Sequence, residues 1–329
     1  MGMEISAKRP GLPGRRGFGL PRTAWRFRLL RSSGPAVVLS GGAALGAFEA
    51  GVIDALVRSE LRPSLLVGTS IGSLNAAYWA FNPGPDAGAA LAATWRSAGA
   101  RGIFPHRPLH MLRQILHDDA LGDPEPLRRA LRSIFGDDRL IEDALIPLAV
   151  VATDIVTGQP VVLRSGPLIP ALMASAAIPG YFPPVRIDGR LLVDGGVVAN
   201  ADLDAVLEAH LRNVVLVELQ APAAADEVTG TRSILEQTVT ISLARQTELE
   251  RRLVGRRLRL AVVRLSPPHR PHPWDFSRTE ELFAMGREAG ERLLASHLVG
   301  GKVRPGVVEG ARLSGGPAQT AIGTGSELR

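Results

Sequence analysis

A chain of 329 residues with 45% hydrophobic residues has enough apolar material for one large core or two modest ones, and it reads as globular. It has no cysteine, which excludes disulfides, a thiolate nucleophile and cysteine metal sites. The net charge of +6 is unevenly placed: residues 1–34 hold eight Lys and Arg against Glu4 alone, so the remainder is close to neutral and does not read as a nucleic-acid-binding surface.

The basic arm over 1–34 is expected to be a disordered leader, with contact to anionic lipid or nucleic acid as the alternative. No apolar stretch follows its charges as in a signal peptide, and no run reaches the ~18 apolar residues of a membrane span. The expectation is therefore a cytoplasmic protein, open to peripheral membrane contact.

In chain order, Ala36 to Ser40 reads as a buried strand. The turn Gly41-Gly42-Ala43-Ala44-Leu45-Gly46 follows, then a helix from Ala47 to Arg58 with Phe48, Val52, Ala55 and Leu56 on one face. Strand, glycine turn and helix place free backbone amides at a sheet edge. A dinucleotide site would need glycine at 43, and a ribose-binding carboxylate after the next strand. Neither is present. The better reading is an oxyanion hole built from the amides of this turn.

The next strand, Leu65 to Val67, runs into Gly68-Thr69-Ser70-Ile71-Gly72 and then a helix. A serine between glycines on a sharp strand-to-helix turn is the nucleophile-elbow pattern. Asn82-Pro83-Gly84-Pro85 breaks that helix. Helices are expected near 86–98, 108–117 and 124–135. Within the second of these, Met111, Leu112, Ile115 and Leu116 form an apolar stripe that reads as core in preference to a lid.

Ile146 to Asp154 is a further buried strand, and Asp154 is expected to cap the turn containing Thr157-Gly158. In the stretch from Val185 to Gly196, Asp188-Gly189 reads as a two-residue hairpin turn. Asp194 ends the second strand ahead of Gly195 and Gly196, which free its carboxylate to face another loop. Asp194 is the candidate base. A central strand over Asn213 to Leu219, a helix over about 232–254 and a strand over Arg259 to Val263 follow. Ser277 is expected to cap a last helix ending near 296. Beyond 300 the Gly- and Ser-rich chain is expected to be disordered.

Taken together, these stretches resemble the patatin-like phospholipase family. Leu39 to Ala47 resembles its glycine-rich oxyanion motif, Gly68 to Gly72 its serine elbow, and Asp194-Gly195-Gly196 its aspartate motif. Ala152-Thr153-Asp154 and Ala174 to Val185 also look like family segments. The resemblance implies a three-layer α/β/α fold around a mostly parallel sheet, as one domain over 35–300. It implies a Ser70–Asp194 dyad without histidine and an oxyanion hole at the amides of Gly41, Gly42 and Ala43, supported by Gly46, Gly68, Gly72, Gly195 and Gly196. It also implies carboxylic ester hydrolysis on a lipid or fatty-acyl substrate, with no metal or cofactor.

Two departures stand out. The family has glycine where Ala43 stands and Arg or Lys where Leu45 stands. Alanine donates its amide equally well if its φ is negative. Leu45 removes a charge beside the expected oxyanion site and motivates a non-catalytic, lipid-binding alternative. An acyltransferase using the same dyad is a second alternative. A third is a Ser-His-Asp triad drawing on His210, His269, His272 or His297.

Overall fold

The computed structural model describes residues 34–100, 123–220, 230–266, 275–299 and 302–310. The basic arm up to residue 33, the stripe around Met111, His269, His272 and the chain beyond 310 lie outside them.

Eleven strands and eight helices are present among the described residues. They are β1 (Ala36–Leu39), α1 (Gly46–Arg58), β2 (Leu65–Thr69), α2 (Ile71–Phe81), α3 (Ala87–Ala100) and α4 (Glu125–Phe135). Next come β3 (Leu148–Asp154), β4 (Gln159–Leu163), α5 (Leu168–Ser175), β5 (Val185–Ile187), β6 (Arg190–Asp194), α6 (Asp204–Glu208) and β7 (Asn213–Leu219). The chain continues with α7 (Gly230–Val254), β8 (Arg259–Leu265), α8 (Thr279–His297), β9 (Leu298–Val299), β10 (Lys302–Val303) and β11 (Gly306–Glu309).

A parallel array β11-β8-β7-β1-β2-β3 forms the centre of the sheet. Alternate residues of each strand feed two separate cores. Val37, Leu39, Leu66, Val150, Val215 and Val263 face the larger one, with α1, α2, α3 and α8. Val38, Val67, Val151, Leu216 and Val262 face the smaller one, under α6 and the end of α7. Helices on both faces give the expected three-layer α/β/α architecture.

β3 has three partners, and their registers fix the site. β4 pairs antiparallel with Val150–Asp154 and so overlaps both of the others. β2 pairs with Leu148–Val151 and β6 with Ala152–Asp154, so these two must share the opposite edge of β3. They run toward each other. β2 places Thr69 beside Val151, and β6 places Asp194 beside Ala152. The serine turn and the aspartate are thereby brought together although 124 positions separate residues 70 and 194.

Two expectations are corrected. The sheet does not stop at 300: β11 lies parallel to β8, its apolar Val307-Val308 completing an edge that Arg264 ties through Glu309 at 3.0 Å. Ser277 does not cap the last helix, because its hydroxyl bonds Asp275 and the N-cap is Arg278. No described helix is long and apolar enough to cross a membrane.

Candidate active site

Ser70 is the single residue between β2 and α2, and it holds φ 53° and ψ −124°. That left-handed backbone is strained for a residue with a Cβ, and it persists only where the surroundings over-determine it. Here they do. Ser175, fully buried at the end of α5, accepts the Ser70 N–H at 2.9 Å and donates to the Val151 carbonyl at 2.6 Å. The Ser70 carbonyl accepts from the Ser73 N–H and hydroxyl at 2.9 and 2.6 Å, closing the first turn of α2.

The flanking glycines are steric necessities. A Cβ on Gly72 would lie 2.4 Å from the Leu39 carbonyl oxygen, and one on Gly68 would lie 2.5 Å from backbone of α2. The helix can cross β1 and β2 this closely only without those side chains.

Asp194 is buried and N-caps a short turn, its Oδ1 accepting the Gly196 N–H at 2.8 Å. Burial raises its pKa to about 6, against a hydrogen bond from the Ser70 side chain and the Gly196 amide, both of which lower it. Asp194 Oδ2 has no hydrogen-bond partner among the described residues. Gly195 packs with its Cα against β3, where a Cβ would lie 2.4 Å from the Val151 carbonyl oxygen.

The glycine-rich loop lies directly beside the serine: a Cβ on Gly41 would sit 3.1 Å from Ser70 Cβ. The three expected donors are not equivalent. The Gly41 N–H is taken by Asn200, through Oδ1 at 3.1 Å and the carbonyl at 3.3 Å, while Asn200 Nδ2 reaches the Gly41 carbonyl at 3.4 Å. The Gly42 and Ala43 amides have no acceptor among the described residues. Ala43 has φ 49°, not the negative value under which its methyl would be harmless. Leu45 is buried within the larger core, so its side chain fills apolar space under the loop.

Behind the loop lies a polar cluster that local sequence reading does not reveal. Glu49 on α1 is fully buried, and Asn75 Nδ2 donates to its Oε2 at 2.8 Å and to the Gly46 carbonyl at 3.0 Å. Trp95 Nε1 donates to Asn75 Oδ1 at 2.9 Å. Burial pushes the Glu49 carboxyl well above its usual pKa, despite contacts from Asn75 and the Ser40 backbone. Asn75 on α2 thus ties together the end of the glycine-rich loop and the buried Glu49 carboxyl on α1. Asn200, Ser175 and Glu49 each lie far along the chain from the groups they hold, and nothing in their immediate neighbours marks them.

His210 precedes β7, and the His297 ring lies against Gly306 at the start of β11. Both therefore sit at the amino-terminal edge of the parallel strands, a strand's length from Ser70. Among the described residues no group of three or more His, Asp or Glu could hold a metal ion.

The profile of the patatin-like phospholipase family matches residues 37–207, just over half of the chain and a span that includes the serine turn, the glycine-rich loop and Asp194. The chain belongs to the patatin-like phospholipase family. It is 33% identical over 190 residues to a patatin-like phospholipase domain-containing protein of Caenorhabditis elegans, covering 57% of this chain and 14% of that protein. It is 34% identical over 174 residues to an uncharacterised NTE family protein of Mycobacterium tuberculosis, covering 52% and 46%. The chain thus spans less than half the length of these patatin-like relatives. Among solved structures it is similar to VipD from Legionella pneumophila, at 16% identity and TM-score 0.46, covering 81% of this chain and 67% of that one.

Proposed function

We propose that this chain is a serine lipid acyl hydrolase of the phospholipase A or esterase type, acting through Ser70 and Asp194. The observation that carries the reading is the register on β3, which sets Thr69 beside Val151 and the buried Asp194 beside Ala152, so that the Ser70 turn and the carboxyl meet at one edge. Ser70 Oγ attacks the ester carbonyl carbon while Asp194 takes its proton. Burial supports this step, because a carboxylate with a raised pKa is a stronger base than an ordinary aspartate.

The developing oxyanion is held by the unengaged amides of Gly42 and Ala43, beside the α2 N-terminus. Gly41 takes a supporting part, its own amide held by Asn200. Asp194 returns the proton to the leaving alcohol. Water, activated by the same carboxylate, then releases the fatty acid from the acyl-enzyme.

The test is hydrolysis of p-nitrophenyl butyrate and of phospholipid vesicles by wild type and Ser70→Ala. The variant should lose activity by about 10³-fold or more on both substrates. Undiminished turnover in Ser70→Ala would rule out the serine mechanism, and absence of turnover in the wild type would favour a lipid-binding role.

A further inference from the structure

The turn after β3, Ile155 to Gly158, and the turn between β5 and β6, Asp188-Gly189, both project from the edge of the sheet that carries Ser70. Asp194 is level with Ala152 on β3, which runs two residues further before the turn that carries Val156, so that tip stands roughly 10 Å above the aspartate.

The two tips form one rigid body. The Ile155 N–H donates to the Leu191 carbonyl at 3.0 Å, joining the hairpins. The first turn is locked by Asp154, whose Oδ1 accepts the Val156 N–H at 3.0 Å and whose carbonyl accepts the Gly158 N–H at 2.8 Å. The second turn has φ of 49° at Asp188 and 75° at Gly189, as a two-residue hairpin with both central residues left-handed requires.

This rigid projection carries apolar side chains where solvation would favour polar ones. Val156 is 78% exposed and Ile155 48%, and Val197, three residues after the Asp194 cap, is 43% exposed. Exposed Arg186 and Arg190 flank them. Register places Arg186 opposite Leu191 and Arg190 opposite Ile187, so one arginine lies on each face of the hairpin. Neither forms an ion pair among the described residues; the carboxylates in the two turns are Asp188 and Asp154, and Asp154 Oδ1 is engaged by the Val156 N–H. Apolar tips that enter the acyl boundary, flanked by cations at headgroup level, complement an anionic lipid surface.

We propose that the Ile155–Val156 tip, with Arg186 and Arg190, is the platform by which this chain docks on an anionic lipid surface, presenting the Ser70 edge to it. This rests on the acyl-hydrolase reading for its purpose but not for its test.

Partition of the full chain onto phosphatidylcholine vesicles, with and without phosphatidylglycerol, is read by flotation in a Ser70→Ala background, where no turnover intervenes. Each arginine near an anionic surface contributes about fivefold to binding, so Arg186→Gln with Arg190→Gln should weaken partition about 25-fold on the anionic vesicles. Val156→Asp should weaken it at least tenfold on the same vesicles. Soluble p-nitrophenyl butyrate turnover, measured with Ser70 intact, should be unchanged in both. Undiminished partition in both variants would overturn the proposal and assign any binding to another part of the chain, such as the basic arm. Equal wild-type partition onto neutral and anionic vesicles would overturn it too, as would a wild type that does not bind. Should Val156→Asp fail to fold, the arginine pair tests the same surface without touching a packed residue.

Discussion

Two strand–turn–helix units lie side by side at the centre of the molecule, β1 to α1 and β2 to α2, and they solve the same backbone problem differently. Between β2 and α2 the turn is a single residue, Ser70, in a left-handed conformation. It is held by a fully buried hydroxyl, Ser175, and by close packing on β1 that only glycine permits. Between β1 and α1 the chain takes six residues, Ser40 to Leu45, with its left-handed residue at Ala43. That loop is held from the side by the half-buried Asn200 and from behind by Asn75 and Glu49. The short turn presents a hydroxyl in one direction only. The longer one leaves two amides unspoken for.

The largest effect expected is at the group both units face. Asp194→Asn should lower kcat/KM by about 10²–10⁴-fold, as removal of a general base does. In the wild type, kcat/KM should rise with pH and level off above about 6, where the carboxylate is ionised.

Stability should move the other way. A folded-state pKa raised from 3.8 to about 6 means the buried acid stabilises the fold fully below pH 3.8 and loses that contribution as pH rises through 6. At pH 8 the ionised, buried Asp194 costs up to about 3 kcal/mol. Asp194→Asn should therefore melt higher than wild type at pH 8 and show little gain at pH 4, which thermal unfolding at the two pH values checks.

The two locks should fail unequally. Ser175→Ala leaves the Ser70 N–H and the Val151 carbonyl unpaired where water has no access, a loss of about 1–3 kcal/mol in unfolding free energy along with activity. Asn200→Ala removes only the Oδ1 acceptor and leaves the main-chain carbonyl of residue 200 on the Gly41 N–H, so its stability cost should be smaller, about 1 kcal/mol. Its kcat should fall about tenfold with KM nearly unchanged, because the loop loses register with Ser70 while the acyl site stays intact. Denaturant unfolding beside steady-state kinetics separates the two.

The smallest effect expected is at Ala43. A left-handed alanine costs about 1–2 kcal/mol, while glycine adds about 0.4–1 kcal/mol of unfolded-chain entropy. Ala43→Gly should thus stabilise the protein by roughly 0.5–1 kcal/mol. Its activity should be equal to or above that of wild type. A destabilised variant would show that the Ala43 methyl packs usefully.

What the sequence made legible follows the range of the interactions. The serine turn, the Asp188-Gly189 hairpin and the Asp154 turn are each specified within a few residues, and each stands where local chemistry puts it. The layered fold was legible through the family resemblance, which rests on three short motifs, each at a strand end. Ser175, Asn200 and Glu49 were not legible as supports, because their partners lie 105, 159 and 26 residues away. The sign of φ at Ala43 was missed for a related reason: it is set by how the loop is clamped, not by alanine itself. β11 escaped notice because its Val307-Val308 pair is short and sits in a glycine-rich context, and β8 supplies the edge that orders it.

The abutment of β2 and β6 along one edge of β3 makes β3 a ruler. Successive rungs, Val151 and Ala152, set the spacing of Thr69 and Asp194, whatever the length of chain looping out between them. Insertions or deletions between α3 and β3, or between α5 and β5, can therefore reshape the surroundings without altering the gap between the serine turn and the aspartate. Substrate preference is free to diverge around a fixed pair. A single-residue slip of either strand on β3 would instead displace its group by about 3.3 Å and turn it to the other face.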